Sequence, residues 1–524
     1  MIERDPVYYV TGYDGDDPSK APFYLRSLVF DGEGGDYNTS LVDKFNEFIQ
    51  KKKLFRGCSL KQDKTPSGVA PKKIVVINAS HDDLPTSYET ARIFADYCKE
   101  KGLKVEEKVV NSREELMKEV EEDPSSVLIM SQCVNKDVYN VSLEEELSGR
   151  GVVVVPGKVT APGSIFSDKD STYKLLSDNG KIWDEVARYK KIFVDGKSVE
   201  EVVSDILAAV GELEMEIGES TFFVKPHEGG GGLGGFRITK TENGYIIPDL
   251  SKVSGHEAEV HPTFINFDEN DEKKLKELLW IYRLFASDEK MAANYIQVKL
   301  DIPPEDDEEA LKVLKDYLFG SEERWKAKLA GMVMSAEEAH KRLVGSIKIF
   351  EKKFSRKYTP LVNEHIDFGL WGLRAHYRLT DKGPLLETMY HRVFQLGFTA
   401  EGLGYVGSDN ISNKQTGDLE ITRLGPINKI MVDSIGGEEK LFETLLKGAK
   451  ALEELSTLVP EEESGRIPLR LQLDLATISQ RIGEGNADTA RGLCLASRWT
   501  EFEKNARAWL EDSLRYYAWK KGKV

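Results

Sequence analysis

The sequence predicts an α/β protein: a parallel sheet covered by helices near the N-terminus, followed by further mixed α and β segments. Two observations carry this. From Lys72 onward, short apolar runs alternate with amphipathic segments, the pattern of strands joined by crossover helices. The composition, 40% hydrophobic and 31% charged over 524 residues, is that of an ordinary soluble globular chain, and the length suits roughly two to four domains.

Residues 1–70 are rich in Gly and Asp, carry one helix-like stretch (SLVDKFNEFIQKKK) and end in the linker-like QDKTPSGVAPKK. Residues 71–165 hold the parallel pattern. KKIVVINAS is a buried-type strand, TSYETARIFADYCKEKG an amphipathic helix stopped by glycine, and KVEEKVV, SREELMKEVEED, SVLIMSQC and GVVVVPG continue the alternation. A second α/β region covers 166–300. Residues 301–358 are charged and helical throughout (EEALKVLKDYL, EEAHKRLVGSIKIFEKKF) and read as a lid-like insertion. Strands return in 359–524 as WGLRAHYRL, PLLETMYHRVF and LRLQLDLATI, with helices FETLLKGAKALEELSTL and EFEKNARAWLEDSLRYYAW.

A formal net charge of −17 argues against a nucleic-acid partner, which would need clustered cations. No apolar run approaches the ~18 residues of a membrane helix. The start, MIERDPVYYV, lacks the basic and apolar regions of a signal peptide. Cys58, Cys98, Cys133 and Cys494 form no CxxC pair, so reduced thiols and a cytoplasmic location are expected. The histidines show no HExxH spacing; His256 and His261 lie too loosely in sequence to make a metal pair. Nucleophile elbows and Ser-His-Asp arrangements are not evident.

The most informative stretch is TFFVKPHEGGGGLGGFRITKTENGYII, Thr221 to Ile247. A P-loop would end in GK[ST], but Gly235 is followed by Phe-Arg. The literal GxGxxG at Gly229, Gly231 and Gly234 would have to open a helix, whereas FRITK, an ENG turn and YIIPDL make a hairpin. Strand, glycine loop and strand form a flap. Glycines let backbone N–H groups approach phosphate oxygens, and Lys225 on the first strand supplies an ammonium beside them. A flexible surface hairpin with a solvated lysine is the plain alternative. Asp474 stands inside an apolar strand, where an unpaired carboxylate is costly, so a partner or a metal is expected for it.

TFFVKPHEGGGGLGG resembles the strand-and-loop element of ATP-grasp enzymes, and further landmarks follow in family order. GSIFSDKDSTYKLLSDNG is similar to the Asp-Lys segment with Lys169 as second phosphate lysine. KKLKELLWIYRLF and ANYIQVKLDI resemble the helix and strand leading to the adenine hinge. YHRVFQLG followed by GSDNISNKQTG resembles the family's arginine and Asn-x-x-x-Gly, at Arg392 and Asn413. LRLQLDLATISQRIGEGN resembles the metal strand pair. The resemblance spans about residues 72–500 and is nearest the D-alanine–D-alanine ligase-like branch. Departures are the excess of glycine, His227-Glu228 before the loop, Gln297 at an often acidic position, and the short distance from Asp474 to Glu484.

What the resemblance implies is a parallel α/β domain before a two-lobed α+β ATP-grasp domain, and an ATP-dependent ligase. Such an enzyme activates an amino acid or peptide carboxylate as an acylphosphate and joins it to an amine, releasing ADP and phosphate. It implies ATP held by Lys169, Lys225, Gly230, Gly231, Gly232 and Gly234, with Gln297, Val298 and Leu300 around the base. Mg²⁺ (or Mn²⁺) would be held by Asp474, Glu484 and Asn486, oxygen ligands that suit a hard cation. Arg374, Arg392 and Asn413 would serve the transferring phosphoryl group. Small-molecule carboxylate and amine partners and a homodimer follow from the same likeness. A kinase on this fold, or a non-catalytic ATP-binding regulator, are the alternatives. For Arg374, Arg392 and Glu484, ordinary strand-face or turn roles also stand open.

Overall fold

The structure, a computed structural model, describes residues 8–10, 26–29, 33–55, 59–61, 69–77, 85–131, 139–155, 170, 173–174, 186–227, 235–247, 270, 272–287, 292, 296, 298–303, 305–320, 331–366, 371–394, 396–399, 402–405, 424–425, 427, 429–457, 459, 461–477, 480–486, 495–496 and 499–522. Its architecture is α/β, with an all-parallel sheet in the first third and antiparallel sheets beyond it.

The strands Lys73–Ile77, Glu106–Val110, Val127–Ser131 and Val153–Val155 form a 4-stranded parallel sheet with Lys73–Ile77 and Val127–Ser131 at its centre. The unbroken apolar runs are explained by burial on both faces. Ile74, Val76, Leu128 and Met130 join one core with Phe94 and Trp509, while Val75, Ile77 and Ile129 join another with Leu116, Leu143 and Leu147. The crossover helices start where side chains can cap them: Ser112 accepts from Glu115 N at 3.1 Å and Asn140 from Leu143 N at 2.9 Å.

The first 5-stranded antiparallel sheet runs Gly244–Ile246, Phe236–Thr241, Thr221–Pro226, Pro360–Glu364, Tyr189–Lys191. Period-two alternation separates its faces. Phe222, Val224, Phe236, Ile238 and Val362 pack against helices Val199–Ile217 and Ala336–Phe354 through Val202, Ile206, Val210, Leu343 and Ile347. The positions between them, Phe223, Lys225, Arg237, Leu361 and Asn363, belong to the other face.

Helix Ala336–Phe354, read as part of an insertion, packs along helix Val199–Ile217 and is tied to the flap hairpin by reciprocal backbone bonds between Tyr245 and Met334, both 2.9 Å. Amphipathicity shows that a helix has a buried face but not which surface buries it. Strand Pro360–Glu364 likewise belongs to this sheet, between the Lys225 strand and Tyr189–Lys191.

The second 5-stranded sheet orders Leu424–Gly425, Gly383–Phe394, Trp371–Thr380, Arg470–Ala476, Ile482–Asn486, all antiparallel. Its apolar face, with Leu373, Ala375, Tyr377, Leu471, Leu473 and Leu475, meets helix Glu438–Ser456. The approach is close: a Cβ on Gly448 would lie 2.4 Å from the Tyr377 ring, whose hydroxyl donates to Leu445 O at 2.9 Å. Helix Glu33–Lys52 packs on the same sheet. Asn38 Nδ2 donates to Met389 O, and Asn46 both donates to Leu386 O and accepts from Leu386 N, each at 2.9 Å. Helix Glu33–Lys52 thus adds to the second sheet's packing.

Candidate functional site

Lys225 sits on the fifth position of strand Thr221–Pro226, register-paired with Leu361, and is only 8% exposed. Its Nζ donates to the Tyr173 hydroxyl at 2.7 Å and lies 5.1 Å from the centre of the same ring. Tyr173 is itself buried and stacks obliquely with Tyr189, 5.3 Å between centroids. The adjacent strand presents Asn363, 2% exposed, whose Oδ1 has no hydrogen-bond partner among the described residues. A buried amide oxygen in that condition is an acceptor that awaits a donor. Next along the chain, His365 is kept neutral: loss of hydration and the nearby Arg237 charge hold its pKa well below 6.5.

Asp474 occupies the second sheet, 5% exposed on strand Arg470–Ala476. Its partner is Arg374, directly opposite in register, through Nε–Oδ1 and Nη2–Oδ2 contacts of 2.6 Å each. This bidentate pair answers the expectation of a partner, and it commits the Arg374 guanidinium to a carboxylate. Glu484 is the register partner of Asp474 on its other side, and Asn486 that of Gln472. Positions 472, 474, 484 and 486 therefore belong to one face of the sheet, continuous with 374. Arg392 lies on Gly383–Phe394, paired with Gly372 and Leu424. Among the described residues, no group of three or more His, Cys, Asp or Glu side chains could hold a metal.

Further along the same face, the charges are buried in a network. Glu387 receives Arg470 Nε and Nη2 at 2.8 and 2.9 Å, and Arg378 pairs with both Glu387 and Asp512, at 2.8 and 2.7 Å. Burial alone would raise the Glu387 pKa, but the Arg470 and Arg378 charges outweigh it and hold the group below the usual carboxylate range. Asp512 comes from helix Trp499–Gly522, which covers this end of the face.

Val298 and Leu300 stand elsewhere. Leu300 N donates to the Tyr282 hydroxyl at 2.6 Å, on helix Glu272–Ser287. Ile296 bridges Phe398 of the small hairpin Leu396–Thr399/Gly402–Tyr405. The strand that runs beside Lys225 is Pro360–Glu364. Lys169, Gly230, Gly231, Gly232, Gly234, Gln297 and Asn413 lie outside the described residues, as do the side chains of Arg392, Glu484 and Asn486. Asn363 and Glu364 were missed. Their strand is central and buried on both faces, so PLVNE carries no alternation to mark it.

No protein-family model and no curated protein matches the chain. Solved structures do show similarity. A D-alanine–D-alanine ligase from Bacillus anthracis aligns at 9% identity over 84% of this chain and 98% of its own, with a TM-score of 0.39. A D-Ala:D-Ser ligase from Enterococcus faecalis aligns at 12% identity over 86% of this chain and 100% of its own, TM-score 0.40. An N5-carboxyaminoimidazole synthetase from Staphylococcus aureus complexed with ADP aligns at 8% identity over 83% and 80%, TM-score 0.35.

Proposed function

We propose that this chain is an ATP-dependent carboxylate–amine ligase of the ATP-grasp type. The observation that supports it most directly is Lys225: a nearly buried ammonium on the strand that leads into the glycine loop, on the sheet face away from the covering helices. The second sheet contributes a row of positions, 374, 474 and 484, with the chemistry to balance phosphate charge and a cation. The nucleotide base is assigned to the strand Pro360–Glu364, where Asn363 Oδ1 can accept from an exocyclic amine such as that of adenine. It stands beside the expected Gln297, Val298 and Leu300 as a second candidate for the base.

In the reaction, a substrate carboxylate oxygen attacks the γ-phosphorus, and the bond to the bridging oxygen breaks to release ADP. The amine nitrogen then attacks the acyl carbon, phosphate leaves with the C–O electron pair, and the nitrogen loses a proton. The protein's part is to position reactants and offset charge. Lys225 and Lys169 would lie against the α- and β-phosphates, and Arg392 against the transferring group. Arg374 acts through Asp474, orienting its carboxylate. Asp474, Glu484 and Asn486 would hold Mg²⁺, which when bound neutralises phosphate charge.

The test is Mg²⁺-dependent nucleotide turnover with pooled amino acids, dipeptides and amines, separating ADP from AMP, with Lys225→Ala as control. ADP and phosphate that appear only with particular pools, and vanish in the variant, support the ligase. AMP and pyrophosphate as products would sink the acylphosphate route. ADP formed with hydroxyl acceptors alone would favour a kinase, and saturable ATP binding without turnover a regulator.

A further inference from the structure

The two antiparallel sheets are joined where strand Pro360–Glu364 ends, and one side chain from the far sheet reaches this joint. Arg481 lies in the turn between Arg470–Ala476 and Ile482–Asn486. Its Nη1 and Nη2 both donate to the Glu364 carboxylate, the latter at 2.7 Å, and Nη2 also donates to Val186 O at 3.0 Å. Glu364 in turn is fixed by the segment beside it: its N donates to Arg188 O at 2.7 Å, and its Oε2 accepts from Arg188 N at 3.0 Å. Val186 bridges Ile482 directly. A single guanidinium thus ties the first sheet, the 186–188 segment and the second sheet together.

Two features of this contact go beyond what holding a fold requires. The turn places Gln480, a non-glycine residue, at φ +53°, a left-handed conformation that costs on the order of 1–3 kcal/mol unless its surroundings enforce it. The pair is also ionic and largely buried, with side-chain exposures of 24% for Arg481 and 9% for Glu364. An apolar pair of the same volume would stabilise as well or better; what the bidentate geometry adds is a fixed distance and orientation. The object so oriented is the strand pair with Asp474 and Glu484. Leu475 is opposite Ile482, so position 484 lies about 10 Å along the strand from Arg481 at ~3.3 Å per residue.

We propose that Arg481 is a positioning residue. Through Glu364 it sets the carboxylate-bearing strands of the second sheet against the lysine-bearing first sheet, so that Mg²⁺ and ATP phosphates are gripped from both sides at once. This rests on the ATP-ligase reading. Metal-free ATP draws mainly on the first sheet's lysine; Mg²⁺–ATP needs the second sheet's carboxylates as well, with both sheets in register. Loss of the clasp therefore acts on the metal's contribution to nucleotide affinity and not on the metal-free affinity.

The experiment compares ATP dissociation constants with and without Mg²⁺ by calorimetry, for wild type, Arg481→Met, Glu364→Gln and the double variant, with melting temperatures alongside. In wild type, Mg²⁺ strengthens binding. Either single substitution is expected to cut that enhancement by about tenfold or more, the usual scale for groups that orient metal ligands, and the double variant should add little because both act through one contact. Metal-free affinity of Arg481→Met, whose substitution lies outside the nucleotide-binding strand, stays as in wild type. Arg481→Lys, which keeps the charge without the fork, should recover part of the enhancement and covers the case in which Arg481→Met does not fold. An unchanged enhancement in the variants, with only a lower melting temperature, overturns the inference and leaves the ligase reading standing. Wild type that binds no ATP overturns the reading itself, and the inference with it.

Discussion

The two five-stranded sheets carry polar groups in different ways. The first rests on its apolar face, where Phe222, Val224 and Ile238 meet two helices, and on its polar face Lys225 donates to the Tyr173 hydroxyl. The second buries polar groups too, and does so by matching charges: Arg374 with Asp474, Arg470 and Arg378 with Glu387, Arg378 with Asp512. Burying an ion is costly, and a partner in good geometry is what makes it tolerable. The difference assigns work. Changes on the first sheet's polar face should alter ligand binding before stability; changes on the second sheet's network should alter stability first.

The strongest way to break this comparison is Glu387→Gln. Two arginines then lose their shared carboxylate inside the protein, and stability should fall by about 3–5 kcal/mol, measured as a shift in the urea unfolding midpoint. Lys225→Met is the counterpart: ATP binding should be lost while the midpoint moves far less. Equal destabilisation by the two would dissolve the distinction.

Acid sharpens it further. His391, 9% exposed on the second sheet, has its pKa lowered by burial from the ordinary 6.5 to about 4. The unfolded chain takes up this proton as pH falls below 6.5, and the folded chain only near 4. The stability tied to the neutral imidazole is therefore complete above pH 6.5 and is lost progressively down to pH 4, by about 3 kcal/mol at most for a shift of this size. His391→Phe should flatten the stability–pH curve across that window. An unaltered slope in the variant would show that His391 does not titrate in this way.

A smaller effect is expected at Gly448. Its helix lies so close to Tyr377 that an added methyl meets the ring at 2.4 Å, and overpacking of this kind costs about 1–3 kcal/mol. Gly448→Ala should lower the melting temperature of the protein. Tyr377→Phe/Gly448→Ala, which removes the phenol oxygen also within 2.4 Å, should recover part of it. Failure to recover anything would mean that the backbone, and not the ring, yields.

Which of these features could be read from sequence depended on the range of the interaction. The flap was legible because its signal is local: FRITK, the turn and YII form the pairs Tyr245–Lys240 and Ile246–Thr239 as expected. The parallel strands were legible from their apolar runs. Asp474 announced a need for a partner, but Arg374 is 100 residues away and nothing in spacing connects them. Glu364 and Arg481 are separated by 117 residues, and their contact exists only after both sheets have formed. The strand Pro360–Glu364 was hidden for another reason. Burial on both faces erases the alternation that marks a strand, and the preceding helix masked its start.

The mildest prediction returns to the first sheet, whose two covering helices begin with the same device. Ser198 and Ser335 each accept from the backbone N of the residue three on, Glu201 or Glu338, whose carboxylate reaches back to the serine N at 2.7 and 2.8 Å. Removing one such cap costs about 1 kcal/mol. Ser335→Ala should lower the unfolding midpoint by that amount and leave metal-free ATP affinity unchanged, because the helix packs on the apolar face, opposite Lys225. A fall in metal-free affinity without loss of stability would mean that the covering helices tune the polar face directly, and the division of labour between the two faces would have to be abandoned.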